Sequence, residues 1–226
     1  QFGLFLTRSA LSFITLSVGG VSSSELAELC ALDDDALAET YAWWVPPNRE
    51  VPAMSMALLL SSIKPFLTSQ GIDHDNELIT WYHRQFRETA LRYFTKDAQF
   101  QQRMHRTLAH FFLGTWAGIL KPYNSWLAER VQRPEFFPGE ASGNRLVREQ
   151  PLSLGTDKSV WLKSSLINSR RCTEAAFHLI QGGLYLEVVS EVCSIESVCS
   201  RSKCGQLFNA FEQLKELQKK MQGTCA

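Results

Sequence analysis

A single histidine, His83, lies where the sequence changes from a short apolar run, Leu78–Tyr82, to a helical pattern. From His83 onward the apolar residues recur at helical spacing, at Phe86, Ala90, Tyr93 and Phe94. The first N–H groups of a helix have no partner within it, so a histidine at this point can meet an anion there. The alternative is a histidine that caps its own helix or hydrogen-bonds a nearby carbonyl group. The residues alone leave both interpretations open.

The composition describes an ordinary globular protein of one large or two small domains. Of the 226 residues, 45% are apolar and 20% are charged, which is enough apolar sequence for a buried core. Lys plus Arg and Asp plus Glu number 23 each, so no net charge attracts nucleic acid or anionic lipid. No apolar run reaches the length that spans a membrane. We therefore expect neither nucleic acid nor a membrane as a partner.

Motifs for catalysis and metal binding are missing from the sequence. There is no glycine-rich phosphate loop ending in Lys-Ser/Thr, no GxSxG and no HExxH. His105 and His110 are five residues apart and so do not share a helix face, as a zinc pair would. We expect no catalytic residue, no metal site and no enzymatic activity in this segment.

The cysteines favour a reducing compartment. They are even in number but too scattered for a zinc site or a disulfide scaffold, at Cys30, Cys172, Cys193, Cys199, Cys204 and Cys225. We expect free thiols and a cytoplasmic protein, with Cys193, Cys199 and Cys204 packed between helices as small apolar residues.

The first half of the sequence predicts several helices followed by a β-hairpin. Ser22 and Glu25 have the spacing of a capping box, and acidic residues from Asp33 favour the start of the next helix. Further helices are expected around Met54–Ile63, from His83, and through Phe100–Phe112. The hairpin is expected to pair Phe66–Thr68 with Leu78–Trp81. Helices followed by a two-stranded hairpin are the outline of a winged helix.

The predicted fold is mainly α and has three parts. Residues 1–113 form the winged-helix domain with its small two-stranded β-hairpin. Residues 114–155, rich in proline and glycine, form an irregular linker. Residues 156–226 form an antiparallel helical scaffold domain, which ends in an amphipathic helix through Leu207, Phe211, Leu214, Leu217 and Met221.

A winged helix often binds DNA, but the contact elements of this one have the wrong composition. The helix Met54–Ile63 contains no Lys or Arg, whereas a recognition helix uses basic and polar groups to contact base edges. The wing, residues 72–77, is acidic and would repel phosphate groups. DNA binding is therefore disfavoured.

Several stretches resemble the winged-helix segment of STAND NTPases, in particular the NACHT proteins that carry WD or tetratricopeptide repeats. These are LSFITLSVGGVSSSELAELC at Leu11–Cys30, WVPP at Trp44–Pro47, IKPFL at Ile63–Leu67 and WYHRQFRE at Trp81–Glu88. The stretch Cys172–Cys204 resembles the helical linker that precedes the repeats in those proteins.

The resemblance implies a regulatory role for His83. In STAND proteins the winged helix supplies a histidine, within a methionine–histidine–aspartate-like motif, that contacts the β-phosphate of bound ADP and holds the closed state. Tyr82, His83 and Arg84 stand at the corresponding place. Because Arg84 stands where many members have aspartate, only the role of His83 is carried over.

The resemblance also implies what surrounds this segment. The ATP-binding domain is expected upstream of Gln1 in the same chain, and the repeats are expected downstream. ATP and ADP are then cofactors of the parent signalling protein, and its partners are other proteins and a self-oligomer. The alternative function is a non-catalytic helical interaction scaffold without nucleotide sensing.

Overall fold

The computed structural model describes residues 3–42, 44–46, 49–71, 77–119, 121–132, 145, 147–153 and 167–224. This part of the chain is mainly helical and contains one two-stranded antiparallel hairpin, which confirms the predicted fold class. The elements are α1 Leu4–Leu16, α2 Ser23–Ala31, α3 Asp34–Thr40, α4 Ala53–Ile63, β1 Leu67–Gln70, β2 Leu78–Trp81, α5 Arg84–Phe94, α6 Ala98–Leu113, α7 Ser125–Gln132, α8 Ser169–Gly182, α9 Tyr185–Cys193, α10 Ile195–Lys203 and α11 Leu207–Thr224.

The chain divides into two compact units that alternate in sequence. The first unit contains the residues up to Gln101 together with Trp116–Arg148, and the second contains Gln102–Thr115 and the residues from Glu149 onward. The winged-helix assignment of residues 1–113 and the boundaries at 113 and 155 stay predictions. Helices α7 and α10 were not predicted from the sequence.

Helix α1 is the centre of the first unit. It packs against α2, α3, α5 and β2, and nine of its thirteen residues are buried. Three of the buried residues are polar, and Ser12 and Thr15 donate their hydroxyl protons to the carbonyl oxygens one turn earlier. The third, Ser9, donates to the Asp33 carboxylate. All three hydroxyl groups therefore have a partner, so a central helix can carry them without an unpaired polar group.

The ends of the early helices are capped by side chains. The predicted capping box is present: Ser22 accepts from the Glu25 backbone N–H at 3.1 Å, and Glu25 accepts from the Ser22 N–H at 2.9 Å. Helix α1 begins after Gly3, which has no side chain to offer. Glu39 of α3 replaces the missing cap, because its carboxylate accepts the N–H groups of Leu4 and Phe5 at 2.7 Å each.

The hairpin lies beside the turn that follows α1. Its register pairs Leu67 with Trp81 and Gln70 with Leu78. Val21 and Ile79 exchange both backbone hydrogen bonds, at 2.8 and 3.2 Å. Gly20 makes this approach possible, because a side chain there would put Cβ 2.5 Å from Thr80 Cγ2 and 2.7 Å from the Ile79 oxygen.

A buried arginine ties the predicted linker to the first unit. The Arg145 side chain is fully buried, pairs with Asp34 at 2.6 Å and donates to the carbonyl oxygens of Lys121 and Pro122. Its guanidinium also lies 3.9 Å from the centre of the Tyr123 ring. A buried ion pair is costly to break, because one charge then stays in the interior alone.

The second unit has its own apolar core, formed by α6 and α8–α11. The buried residues are Ala109, Ala176, Leu179, Ile180, Val188, Val192, Ala210 and Leu217. Gly183 ends α8 in the left-handed conformation, and α9 starts two residues later. Short turns also separate α9 from α10 and α10 from α11.

Two histidines and a glutamate form a buried chain of hydrogen bonds within this unit. His178 Nε2 lies 3.0 Å from Glu174 Oε2, and His178 Nδ1 lies 2.8 Å from His105 Nδ1. Arg170 pairs with the same glutamate at 3.0 Å. Burial, with smaller contributions from the neighbouring His178 and Lys220, lowers the pKa of His105 to about 3. His105 is thus a structural residue held in its neutral form.

The close approach at Gly20 gives a first prediction. Gly20→Ala should destabilise the first unit by about 2 kcal/mol or more, since the new methyl group meets Thr80 and the backbone has φ +88°. Gly118→Ala is the matched control, because its φ is +67° but no atom of the described residues lies within 4 Å of the new Cβ. It should lose about 1 kcal/mol.

Urea denaturation followed by tryptophan fluorescence measures both variants. Five of the six tryptophans fall within the residue ranges of the first unit, so the signal reports mainly on that unit. Equal losses in Gly20→Ala and Gly118→Ala would show that the contact with Thr80 carries no energy.

The buried His105 predicts acid sensitivity of the second unit. Its folded pKa of about 3 lies below the usual value of about 6.5, so the unfolded chain binds the proton first. The contribution of His105 to the free energy of unfolding is complete above pH of about 6.5 and is lost as the pH falls towards 3. The loss is at most about 1.4 kcal/mol per pH unit. His105→Gln cannot take up a proton, so it should lose less stability between pH 7 and pH 5 than the parent chain.

Amide hydrogen exchange of α6 and α8 at the two pH values measures this difference locally. The same pH dependence in the parent chain and in His105→Gln would place the acid sensitivity elsewhere.

Candidate functional site

His83 is the N-cap residue of α5 and lies two residues after the end of β2. Its backbone is extended, with φ −135° and ψ 145°, and its Nδ1 accepts the backbone N–H of Gln85 at 3.2 Å. The His83 carbonyl oxygen accepts the N–H of Phe86 at 3.0 Å, which starts the helix. The side chain is exposed. The sequence-based expectation of a histidine at a strand–helix junction therefore agrees with the geometry, and so does the helix-capping alternative.

The cap decides which nitrogen of the His83 ring carries the proton. Because Nδ1 accepts the Gln85 N–H, it has no proton of its own, and in the neutral ring the proton must be on Nε2. Among the described residues no group hydrogen-bonds to Nε2. The capping role and a role in contacting an anion therefore use different ring atoms, and the two interpretations left open by the sequence are compatible.

Thr15, buried in α1, holds both elements that flank His83. Its hydroxyl accepts the indole N–H of Trp81, at the end of β2, at 3.0 Å, and its carbonyl oxygen accepts the Arg87 Nε–H, from α5, at 3.1 Å. These two contacts fix β2 and α5 against the same turn of α1. Local sequence patterns do not reveal Thr15, because its role depends on contacts with residues more than sixty positions away.

A cleft of about 190 Å³ opens beside His83, between the end of α1 and the start of α5. Its lining residues are Ile14, Ser17, Val18, Gly20, Thr80, Trp81, His83, Arg84 and Arg87. The charged groups among these described lining residues are all cationic. The Arg84 side chain is 87% exposed and pairs with Glu88, as the helical spacing predicts, with Nε and Oε1 2.6 Å apart. A cleft with this lining favours a small anion.

Other residues singled out from the sequence have ordinary surroundings or lie outside the described part. In the described ranges no three His, Cys, Asp or Glu side chains are placed to hold a metal ion. Cys193 and Cys199 are exposed, so the expectation that they pack between helices is wrong. Their positions, at the end of α9 and in the middle of α10, put both thiols on the outer side of those helices. Residues 72–76 of the predicted wing lie outside the described residues.

Burial keeps the thiols inside the two units protonated. It raises the pKa of Cys30, and it raises the pKa of Cys172 to about 11. Neither cysteine therefore offers a reactive thiolate.

The predicted recognition helix also differs from a DNA-reading helix. On α4, Met54 and Leu58 are exposed, so the helix presents apolar side chains outward. Separately, within the described ranges no helix is long and apolar enough to cross a membrane.

Comparisons with known proteins give a consistent set of relatives. The chain is 30% identical over 195 residues to NACHT domain- and WD repeat-containing protein 1 of mouse and 28% identical over 193 residues to the human protein of that name. Each alignment covers 84% of this chain. Human NACHT and WD repeat domain-containing protein 2 is 26% identical over 196 residues, which cover 80% of this chain.

The chain corresponds to 11% of the length of each of these relatives. No family model matches it, and no solved structure matches it. The chain is homologous to one segment of the NACHT and WD repeat-containing proteins.

Proposed function

We propose that this chain is the regulatory winged-helix and helical arm of a STAND-type signalling NTPase. In this role it holds the ADP-bound closed state and couples nucleotide exchange to oligomerisation or partner binding. The observation that carries the proposal is His83, which caps α5 through Nδ1 and keeps its Nε2–H available for an anion. Homology to a segment of NACHT and WD repeat-containing proteins supports the same function.

The proposed contact is a hydrogen bond from His83 Nε2–H to a β-phosphate oxygen of ADP on the nucleotide-binding domain of the same chain. A charge-assisted hydrogen bond contributes roughly 1.5–3 kcal/mol, which biases a two-state equilibrium about tenfold to a hundredfold. Nucleotide exchange removes this contact and frees the arm to move. The capping bond keeps the ring oriented in both states.

The remaining parts of the proposal concern partners and location. The arm itself is non-catalytic and holds no metal; ATP and ADP belong to the parent protein. Its partners are the upstream nucleotide-binding domain, other proteins and further copies of the parent, and neither nucleic acid nor a membrane is among them. We place the parent protein in the cytoplasm.

A second candidate is a helical protein-interaction scaffold without nucleotide sensing. Exposed apolar side chains on the helices of the second unit favour it: Leu186 is 85% exposed, Ile195 84% and Phe208 71%. Such residues are common at protein contacts. The two candidates differ in whether His83 affects nucleotide release.

Two substitutions of His83 in the parent protein separate the capping role from the phosphate contact. Asparagine is a good N-cap residue whose amide reaches the position of Nδ1 but has no counterpart of Nε2. His83→Asn should therefore keep the stability of the arm and accelerate ADP release about tenfold or more. His83→Ala should accelerate release equally and also lose about 0.5–1 kcal/mol of stability.

The ADP off-rate and the melting temperature of each variant are the measurements. An unchanged off-rate in His83→Asn, with a lower melting temperature in His83→Ala alone, would support the scaffold function.

The isolated chain should neither turn over ATP nor bind duplex DNA tightly at physiological salt. The absent phosphate loop motivates the first expectation, and the balanced charge motivates the second. Phosphate release from ATP and a salt titration of DNA binding check them. Salt-sensitive DNA binding tighter than about micromolar would contradict the exclusion of nucleic acid.

A further inference from the structure

The cleft beside His83 has a charge and a size that the capping role of this histidine does not require. Among the described residues that line it, the charged ones are Arg84 and Arg87, and none is acidic. Its volume of about 190 Å³ lies below the range of roughly 300–1,000 Å³ that is typical of pockets for drug-sized ligands. The cleft therefore suits an isolated oxyanion group better than a whole nucleotide.

The described residues use only part of the hydrogen-bonding capacity of the donors in the cleft. Arg87 donates its Nε–H to the Thr15 oxygen, which fixes the guanidinium at the cleft. Within the described ranges its two terminal nitrogens have no hydrogen-bond partner. The Nε2–H of His83 is likewise unused, so two side chains one turn apart on α5 present N–H groups together with a positive charge.

The carboxylate of Glu88 competes with a bound anion for the Arg84 side chain. Its Nε donates to Glu88 Oε1 at 2.6 Å, in an exposed pair four residues apart. Exposed pairs of this kind are weak, so an anion with two negative charges can displace the glutamate. Glu88 then regulates how strongly Arg84 binds an anion in the cleft.

We propose that this cleft is an oxyanion subsite for a diphosphate group, with Arg87 and Arg84 as its charged ligands beside His83 Nε2–H, and that Glu88 is a built-in competitor for Arg84. The identity of the anion as a diphosphate rests on the proposed function. The inference that the cleft binds an oxyanion does not depend on the proposed function. It rests on the positive charge and small size of the cleft and on the fixed position of Arg87. The proposed subsite binds only the diphosphate group and not the adenine base. The chain should therefore bind ADP and inorganic pyrophosphate about equally and adenosine not at all.

Titration of the 226-residue chain with inorganic pyrophosphate, at constant ionic strength and with detection by backbone amide NMR, tests the subsite. The proposal expects saturable shifts centred on residues 83–87. Arg84→Gln should weaken binding about threefold to tenfold, and Arg87→Gln about tenfold, because each removes one charge-assisted contact. Glu88→Gln should tighten binding about threefold, since it removes the competing carboxylate.

Arg92→Gln is the matched control for charge and helix content. Arg92 lies on the same helix α5 and does not line the cleft. It should change the affinity less than twofold. Equal weakening by Arg92→Gln and Arg84→Gln would overturn the subsite, because the attraction would then be diffuse. Linear shifts without saturation would overturn it as well.

Arg84→Gln keeps the proposal testable if Arg87→Gln fails to fold, because the Arg84 side chain is 87% exposed and, among the described residues, pairs only with Glu88. The subsite and the proposed function can also fail separately. Arginine-dependent pyrophosphate binding, combined with an unchanged ADP off-rate in His83→Asn, would retain the subsite and reject the ADP-holding role. Faster ADP release in His83→Asn without pyrophosphate binding to the chain would reject the subsite alone.

Discussion

The candidate site depends on how one buried threonine, Thr15, uses its polar atoms. Its hydroxyl donates to the Leu11 carbonyl oxygen at 2.6 Å and accepts the Trp81 indole N–H at 3.0 Å, while its own carbonyl oxygen accepts from Arg87. Unpaired polar groups are costly in the interior, so these bonds strongly favour one position of β2 and α5 relative to α1. His83 lies at the junction of β2 and α5, and its orientation follows from this arrangement.

The turn after α1 adds a second constraint to the same junction. Val21 pairs with Ile79 through both backbone hydrogen bonds, and Gly20 lets the chains approach closely enough for this. The hairpin would otherwise be two short strands without a further neighbour, which is marginally stable in water. Helix α1 therefore stabilises the hairpin as well as positioning the histidine.

Local patterns in the sequence were sufficient to predict the elements around the site. The capping box at Ser22 and Glu25, the pairing of β2 and the start of α5 all follow from spacings of a few residues. The observed β1, Leu67–Gln70, starts one residue later than predicted and extends further. Such shifts are expected because the ends of strands depend on cross-strand partners.

Contacts between distant residues could not be predicted from the same patterns. Arg145 lies in a stretch with the composition of a linker, yet it is buried against Asp34, more than a hundred residues earlier. Likewise, no local pattern in the sequence pairs His105 with His178 across 73 residues. Pattern arguments report local periodicity, whereas burial of a charged or titratable group depends on partners that only the fold brings together.

The central claim is that one ring of His83 serves two roles, with Nδ1 as a helix cap and Nε2 as a phosphate donor. An experimental structure of the ADP-bound parent protein tests this most directly. The account predicts His83 Nδ1 within hydrogen-bond distance of the Gln85 N–H and Nε2 about 3 Å from a β-phosphate oxygen. A closed, ADP-bound structure in which Nε2 faces solvent or another protein group would contradict it.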